Sequence, residues 1–252
     1  MNAQLITERL KKVGLVYIAN QLDGILEDAS KHNVTYSEFL NTLLQHEIEH
    51  KEGAALETRI KKSKLPFHKT IEDFDFSFQP SVSERRVKEV ITGRYIENGE
   101  NILLLGPPGV GKTHLAIGFA IEALRQGYTA YYTRADDFIT SCRKAEQRGT
   151  TSRLVRSLSR CDVLIIDEMG YFPFDELSAD LFFRIISKRY EKGSIILTSN
   201  KSYIEWGKIF GDDVLATAVL DRLLHYSTTF NIKGQSFRLR EKQKAGIQPA
   251  VN

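Results

Sequence analysis

The sequence predicts an α/β protein in which a parallel sheet flanked by helices follows a small all-helical N-terminal domain. From residue 84 onward, near-continuous apolar stretches alternate with stretches of helical periodicity, the pattern of parallel strands buried between helices. Before about residue 66, apolar residues recur only at helical spacing. A glycine-rich loop joins the first apolar stretch to the next helix, which completes a strand–loop–helix unit.

Residues 1–66 form the predicted helical N-terminal domain. Apolar residues recur at helical spacing from Leu5 to Leu26, and Thr35 or Ser37 is placed to cap a helix that carries Phe39. The domain contains nine Lys/Arg and nine Asp/Glu, yet its end, residues 59–64, is basic. This basic end indicates either a solvated helix face or a contact with DNA or a protein partner.

Residues 67–252 form the second predicted domain. Pro66 and Pro80 interrupt the helical pattern at its start. Between them Phe74, Phe76 and Phe78 alternate with polar residues, which predicts an extended segment packed on a larger body.

Beyond this segment the alternating elements follow in order. They are helix 84–98, strand 101–105, helix 112–125, a strand within 127–135, helices 135–149 and 151–160, strand 162–168, helix 176–193 and strand 194–200. Each strand is an apolar run of strand length, and Gly193 ends its helix as a glycine commonly does. A further helix and short strands are predicted after residue 218.

Composition excludes several classes of protein. The 252 residues are 42% hydrophobic and 27% charged, as in ordinary globular proteins. Cys142 and Cys161 form neither a CxxC motif nor a ligand cluster, so a disulfide framework and a zinc site are not expected. The absence of a signal-peptide core and of an apolar run near ~18 residues predicts a cytoplasmic protein with no membrane partner.

The stretch GPPGVGKT matches the phosphate-binding pattern GxxxxGK[ST] in full and lies between a strand and a helix. Its N–H groups and the helix N-terminus favour bound phosphate. Lys112 is expected to reach the β- and γ-phosphates, and the Thr113 hydroxyl to bind Mg²⁺. The predicted nucleotide site consists of Gly106, Pro107, Pro108, Gly109, Val110, Gly111, Lys112, Thr113 and His114.

An acidic pair ends the apolar strand that begins at Val163. Asp167 is expected to hold Mg²⁺ through water, and Glu168 to orient and deprotonate an attacking water. Asn200 follows another strand, where its amide either positions that water beside the γ-phosphate or only forms a turn after the strand. These residues predict hydrolysis of ATP.

Two other nucleotide-dependent classes are disfavoured. DEMG and NKSY suggest the guanine-binding motifs of GTPases, but Tyr203 stands where the guanine-reading Asp belongs. A metabolic kinase is disfavoured because no motif for an acceptor substrate is visible.

Arg222, in LDRLLHY, and Arg238, in SFRLR, lie beyond the sheet strands. Arginines stabilise the charge of phosphoryl transfer in cis or in trans. By spacing alone, each is either such an arginine or an ordinary surface residue.

The sequence resembles the AAA+ ATPases of the initiator and helicase-loader group, and within it the IstB-like transposition helper ATPases of insertion sequences. The glycine loop alone indicates only a superfamily, whereas DEMGYFPF, SNKSYIEW and LDRLLH together are much more specific. The resemblance spans nearly the whole chain. It implies a P-loop AAA+ sheet, with Gly106 to Thr113 as Walker A, Asp167 and Glu168 as Walker B, and Asn200 as sensor 1.

The resemblance also implies roles for the C-terminal arginines. Arg222 matches the arginine finger that acts on a neighbouring subunit's ATP, and Arg238 matches the sensor 2 arginine that acts in cis. Arg240 is the alternative to Arg238. The stretch TIEDFDF is expected to pack near the adenine.

Residues 134–160 contain seven Lys/Arg against three Asp/Glu, an excess that suits contacts with DNA phosphates. A solvated basic face is the other interpretation. No base-reading motif is visible, so the backbone is expected to dominate binding and to make it salt-sensitive. The expected DNA contacts are Arg143, Lys144, Arg148, Arg153, Arg156 and Arg160, the last three on one helix face. Residues 232–252 form a second basic stretch.

These features together predict an ATPase that assembles on duplex DNA as an ATP-dependent homo-oligomer and assists a transposase in target selection or strand transfer. The alternative is a DnaC-type replicative helicase loader. A hexameric helicase partner and a preference for single-stranded DNA would distinguish that alternative.

Overall fold

A computed structural model describes residues 3–244 of the chain. Its strands are β1 (Asn101–Leu105), β2 (Ala130–Arg134), β3 (Val163–Met169), β4 (Ser194–Ser199) and β5 (Ser227–Asn231). They form one five-stranded sheet in the order β2-β3-β4-β1-β5, with every neighbouring pair parallel. The predicted parallel α/β architecture is therefore confirmed. The strand order places β1, which leads into the glycine loop, between β4 and β5.

Helices flank the sheet and form the N-terminal part of the chain. In order they are α1 (Ala3–Lys12), α2 (Val16–His32), α3 (Tyr36–Ser63), α4 (Glu84–Val90), α5 (Arg94–Glu97), α6 (Lys112–Arg125), α7 (Ala135–Gln147), α8 (Thr151–Leu158), α9 (Glu176–Arg189), α10 (Trp206–Phe210), α11 (Asp213–His225) and α12 (Phe237–Lys244). The single helix predicted over 84–98 is two helices, because Gly93 adopts a left-handed φ of 85°. Within residues 3–244, no helix is long and apolar enough to cross a membrane.

The chain divides into two compact units, Met1–Thr58 and Arg59–Asn252. The domain boundary near residue 66 stays a prediction, since α3 runs without a break to Ser63. Within the first unit, Thr35 caps α3: its N–H donates to Glu38 Oε2 at 2.8 Å, and its hydroxyl accepts from the Glu38 N–H at 3.3 Å. Ser37, the other candidate cap, lies inside the helix.

The segment between Pro66 and α4 is a series of turns, so the prediction of an extended segment is wrong. Asp75 explains the difference, because its carboxylate accepts a hydrogen bond from the Phe78 N–H at 3.0 Å and its carbonyl accepts one from Gln79 N–H at 3.2 Å. The alternation of phenylalanines does not reflect an extended strand. Phe74 is buried, whereas Phe76 and Phe78 are half-buried.

Arg189, at the end of α9, is 2% exposed. Its guanidinium donates hydrogen bonds of 2.8–3.1 Å to the carbonyls of Leu158, Cys161, Asp162 and Ser194. Buried carbonyls need such partners, since each unsatisfied one costs about 1–3 kcal/mol. This arginine therefore fixes the connection between α8 and β3.

The C-terminal basic stretch is described only in part. α12 carries Arg238 and Arg240 and ends at Lys244. Residues 245–252, the remainder of the predicted tail, lie outside the described residues.

Candidate nucleotide-binding site

The glycine loop leaves β1 at Gly106 and enters α6 at Lys112, at the edge of the sheet where the parallel strands end. Gly109 and Gly111 adopt φ angles of 80° and 98°, which side chains rarely tolerate. A side chain at Gly109 would also collide with Ser236, and one at Gly111 with Phe74. Glycines at these two positions allow the loop to pack closely against both flanking segments.

The side chain of Lys112 folds back over its own loop. Its ammonium donates hydrogen bonds of 2.7 Å to the carbonyls of Gly106 and Pro107. Burial lowers the pKa of Lys112 to about 8, although the neighbouring charge of Asp167 opposes this shift. The loop thus holds a cation at its centre, as a phosphate site requires.

Asp167, at the end of β3, is 2% exposed and accepts hydrogen bonds from three hydroxyl groups. Thr113 lies 2.9 and 3.1 Å from its two oxygens, Thr198 donates to Oδ1 at 2.5 Å, and Tyr132 donates to Oδ2 at 2.8 Å. The structure therefore brings Thr113 and Asp167 together, as the sequence predicts. Their hydroxyl and carboxylate oxygens are the hard ligands that suit Mg²⁺.

Glu168 follows in an unusual backbone conformation, with a left-handed φ of 61°. The register of β3 against β4 shifts between Ile166 and Met169, and the Glu168 N–H donates to the Thr198 hydroxyl at 2.9 Å. Consecutive residues of a regular strand point to opposite faces, but this irregularity lets Glu168 line the same cavity that Thr113 lines. Such outliers persist where the surrounding structure holds them, often at functional sites.

Arg134, at the end of β2, is a site residue that sequence analysis missed. Its guanidinium Nη2 lies 2.7 Å from Glu168 Oε2, and its Nε lies 3.1 Å from Asp136 Oδ1. The sequence shows Arg134 only as one cation of a basic stretch. Its pairing with Glu168 depends on β2 lying beside β3, which local sequence does not reveal.

A cavity of about 210 Å³ lies beside the loop. Its lining combines the glycine loop and Glu168 with aromatic side chains from two segments distant in sequence. The lining residues are Phe67, Lys69, Asp73, Phe74, Asp75, Phe78, Gln79, Pro108 to His114, Glu168, Tyr171, Thr198, Phe237 and Arg238. Part of TIEDFDF thus lines the cavity. His114 Nε2 donates a 2.8 Å hydrogen bond to the Thr70 carbonyl, and burial lowers the pKa of His114.

The two candidate sensor arginines lie in different surroundings. Arg238 lines the cavity, whereas the guanidinium of Arg240 lies 4.3 Å from the ring centroid of Phe78. The start of α12 is fixed on the loop, because the Phe237 N–H donates to the Gly109 carbonyl at 2.9 Å. This attachment places Arg238, and not Arg240, at the cavity.

Asn200 and Arg222 do not line the cavity. Asn200 directly follows β4, and its Oδ1 is buried without a hydrogen-bond partner among the described residues. Arg222 lies on α11 with its guanidinium 4.7 Å from the ring centroid of Phe183, and it donates to the Ala218 carbonyl at 3.1 Å. The structure therefore does not bring Arg222 to its own chain's cavity.

The predicted DNA contacts lie on α7, on α8 and in the turns that follow them. All are exposed and none lines the cavity: Arg143, Lys144, Arg148, Arg153, Arg156 and Arg160. Arg143 forms a 2.7 Å ion pair with Asp175. α8 ends at Leu158, so the prediction that Arg160 shares its helix is wrong.

A glycine loop after a central parallel strand, with an acidic pair on another strand, defines a P-loop ATPase fold of the AAA+ class. DnaA from Aquifex aeolicus, solved with bound AMPPCP, is 27% identical with a TM-score of 0.55, over 75% of this chain and 59% of that chain. DnaA bound to AMPPCP and single-stranded DNA is 25% identical with a TM-score of 0.56, over 75% and 58%. The chain thus spans about three-fifths of the length of these initiators.

Residues 8–245 match the family of IstB-like ATP binding proteins, and the chain belongs to this family. It is 52% identical to the ATP-binding protein of insertion sequence IS5376 from Geobacillus stearothermophilus, over 94% of this chain and 95% of that protein. It is 47% identical to the IS21 ATP-binding protein from Pseudomonas aeruginosa, over 97% and 91%. The resemblance predicted from the sequence is confirmed, and with it an ATP-binding role.

The lowered pKa of Lys112 predicts that ATP affinity depends on pH. The ammonium form attracts phosphate, and it is lost as the pH rises through about 8 in the free protein. Affinity for ATP should therefore fall by up to about tenfold per pH unit above this value. Titration of a fluorescent ATP analogue between pH 7 and 9.5 measures the effect.

The matched control is Lys112→Arg, whose guanidinium does not lose its proton in this range. Its affinity should show no comparable fall above pH 8. A wild-type affinity that stayed constant to pH 9.5 would contradict the assignment.

Proposed function

We propose that this chain is an ATPase that assembles on duplex DNA as an ATP-dependent oligomer and assists a transposase during DNA transposition. The near full-length match to ATP-binding proteins of insertion sequences carries the proposal. The nucleotide site supplies the chemistry, the basic helices α7 and α8 a DNA contact, and the N-terminal unit a protein contact.

The geometry supports ATP hydrolysis in the cavity. Thr113 and Asp167 would hold Mg²⁺, which supplies positive charge to the phosphates when bound. Lys112 adds the cation of the loop, and Glu168 orients a water and accepts its proton. Asn200 follows β4, the strand beside β3, and its amide oxygen, which has no hydrogen-bond partner within residues 3–244, can accept a hydrogen bond from that water.

Two arginines complete the proposed site from different chains. Arg238 lines the cavity and acts on ATP bound to its own subunit. Arg222 lies away from that cavity and acts on the ATP of a neighbouring subunit. Each stabilises charge that develops during phosphoryl transfer, so a complete site exists only in the oligomer.

Mixing experiments test this division of the site. Arg222→Ala alone and Glu168→Gln alone should each lose about 10³-fold or more in ATP hydrolysis, the magnitude typical of an arginine finger. In a mixture, some interfaces combine intact Glu168 from one variant with intact Arg222 from the other. Hydrolysis should therefore recover in the mixture, as measured by phosphate release.

The matched control replaces Arg222→Ala by Arg238→Ala. Because Arg238 acts on its own subunit's ATP, no interface in a mixture with Glu168→Gln regains a complete site. Equal recovery in the two mixtures, or recovery in neither, would contradict the division.

The contact with duplex DNA is proposed for α7 and α8. Arg153 and Arg156 are exposed, and neither forms an ion pair within residues 3–244. Arginines of this kind bind phosphate oxygens without reading sequence.

Arg153→Gln with Arg156→Gln should weaken binding to duplexes of unrelated sequence by similar factors. If each arginine neutralises one phosphate, the slope of log affinity against log salt should fall by about 1.8. Fluorescence anisotropy measures the affinity for labelled duplex DNA between about 50 and 200 mM salt, and the slope is taken from these affinities. The control is Arg184→Gln on α9, and an unchanged slope in the double variant would argue against this surface.

The N-terminal unit, residues 1–58, is proposed to bind the transposase. It carries five Lys/Arg against nine Asp/Glu, which disfavours DNA as its partner. Along α3 an exposed apolar row recurs every four residues, with Tyr36 95%, Leu40 57%, Leu44 45% and Ile48 54% exposed. Contiguous exposed apolar surface of this kind marks protein–protein contacts.

Leu40→Ser with Leu44→Ser should weaken binding of the transposase encoded by the same insertion sequence, while ATP hydrolysis and DNA binding stay unchanged. Both residues are exposed, so folding should be retained. Co-sedimentation with the transposase measures binding, and Val214→Ser, at another exposed apolar position, is the control. Unchanged transposase binding would show that this apolar row is not the contact surface. Binding of a hexameric helicase instead of the transposase would favour a helicase loader.

A further inference from the structure

We infer that Tyr132 is a positioning residue for the Mg²⁺ site, because its hydroxyl fixes the carboxylate of Asp167 in the orientation that binds the ion. This inference rests on the proposed function of the cavity as a site for ATP with Mg²⁺. Tyr132 lies on β2, outside the glycine loop, and does not line the cavity.

Two strands hold the carboxylate of Asp167 from opposite sides. β3 lies between β2 and β4, so Tyr132 of β2 and Thr198 of β4 approach Asp167 from its two neighbours in the sheet. Tyr132 donates to Oδ2 at 2.8 Å, and Thr198 donates to Oδ1 at 2.5 Å. Each carboxylate oxygen therefore accepts one hydrogen bond from a neighbouring strand of the sheet.

A donor on each oxygen matters because the terminal torsion of an aspartate is broad. One hydrogen bond would hold one oxygen and leave the carboxylate plane free to pivot, whereas two bonds to different oxygens fix the plane. The ionised carboxylate has about four lone-pair sites, and Thr113 lies against the remaining side. Tyr132 and Thr198 thus keep the remaining lone pairs of the carboxylate directed towards the hydroxyl of Thr113, the other proposed ligand of Mg²⁺.

The adjacent residue offers a matched comparison. Tyr131 lies on the same strand, but its hydroxyl accepts a hydrogen bond from Lys64 Nζ at 3.0 Å and does not contact Asp167. Replacing either tyrosine by phenylalanine removes one hydroxyl from β2. Only the change at position 132 removes a donor to the acidic residue.

The experiment measures Mg²⁺ dependence directly, without hydrolysis. Binding of fluorescent AMPPCP is followed while Mg²⁺ is added to protein in excess EDTA. Tyr132→Phe should raise the Mg²⁺ midpoint by about tenfold or more, the usual effect of removing a partner that orients a metal ligand. Its affinity for the nucleotide in EDTA should equal that of the wild type, and Tyr131→Phe should match the wild type throughout.

Equal midpoints for Tyr132→Phe and Tyr131→Phe would overturn the inference, as would an equal loss of affinity with and without Mg²⁺. A wild type that bound the nucleotide with no dependence on Mg²⁺ would instead overturn the proposed metal site, so the two failures are distinguishable. Thermal unfolding of each variant reports its folding.

If Tyr132→Phe is less stable than the wild type, a double-mutant cycle keeps the test decisive. In an Asp167→Asn background, Tyr132→Phe should shift the midpoint no further, because it acts through Asp167. An additional shift in that background would overturn the inference.

Discussion

The buried carboxylate of Asp167 is the point on which the nucleotide site depends. A charged group that is only 2% exposed is tolerated when its oxygens are hydrogen-bonded. The three hydroxyls that satisfy it come from α6, β2 and β4, so each adjoining element contributes one donor. Closure of this network requires the strand order β2-β3-β4, and it sets the position of Thr113 relative to the acidic edge.

The ion pair between Arg134 and Glu168 is of a different kind. Both side chains are partly exposed, at 45% and 34%, and such pairs contribute about 0–1 kcal/mol. The pair therefore orients Glu168, and breaking it to release the carboxylate requires little free energy. Arg134 also immediately precedes α7, so the residue that contacts Glu168 lies at the base of the basic helices. A segment proposed to contact DNA and the proposed catalytic carboxylate are thus joined through one side chain.

Local rules of sequence predict one part of this molecule well. GPPGVGKT specifies its loop because glycines and a helix start suffice, and Asp167 meets Thr113 because parallel strands end at one edge. The roles of Tyr132 and Arg134 could not be predicted, because their contacts with Asp167 and Glu168 depend on which strand lies beside β2. The turn at Asp75 and the irregular backbone of Glu168 both involve hydrogen bonds to side-chain oxygens, of Asp75 and of Thr198, which the periodicity of the sequence does not reveal. Arg238 and Arg240 stand two residues apart, so spacing leaves Arg240 as an alternative, whereas the attachment of Phe237 to Gly109 places Arg238 at the cavity.

The dependence of the glycine loop on residues 232–238 has a consequence for biosynthesis. The Leu105 carbonyl accepts from Ile232 N–H at 2.7 Å, and the Gly109 carbonyl accepts from Phe237 N–H at 2.9 Å. A nascent chain that has emerged only as far as β4 carries the loop, Asp167 and Glu168, but not these donors or Arg238. Because contacts between such distant segments form late, the cavity acquires its last wall after most of the sheet has been translated. The complete cavity therefore exists only in a nearly finished chain.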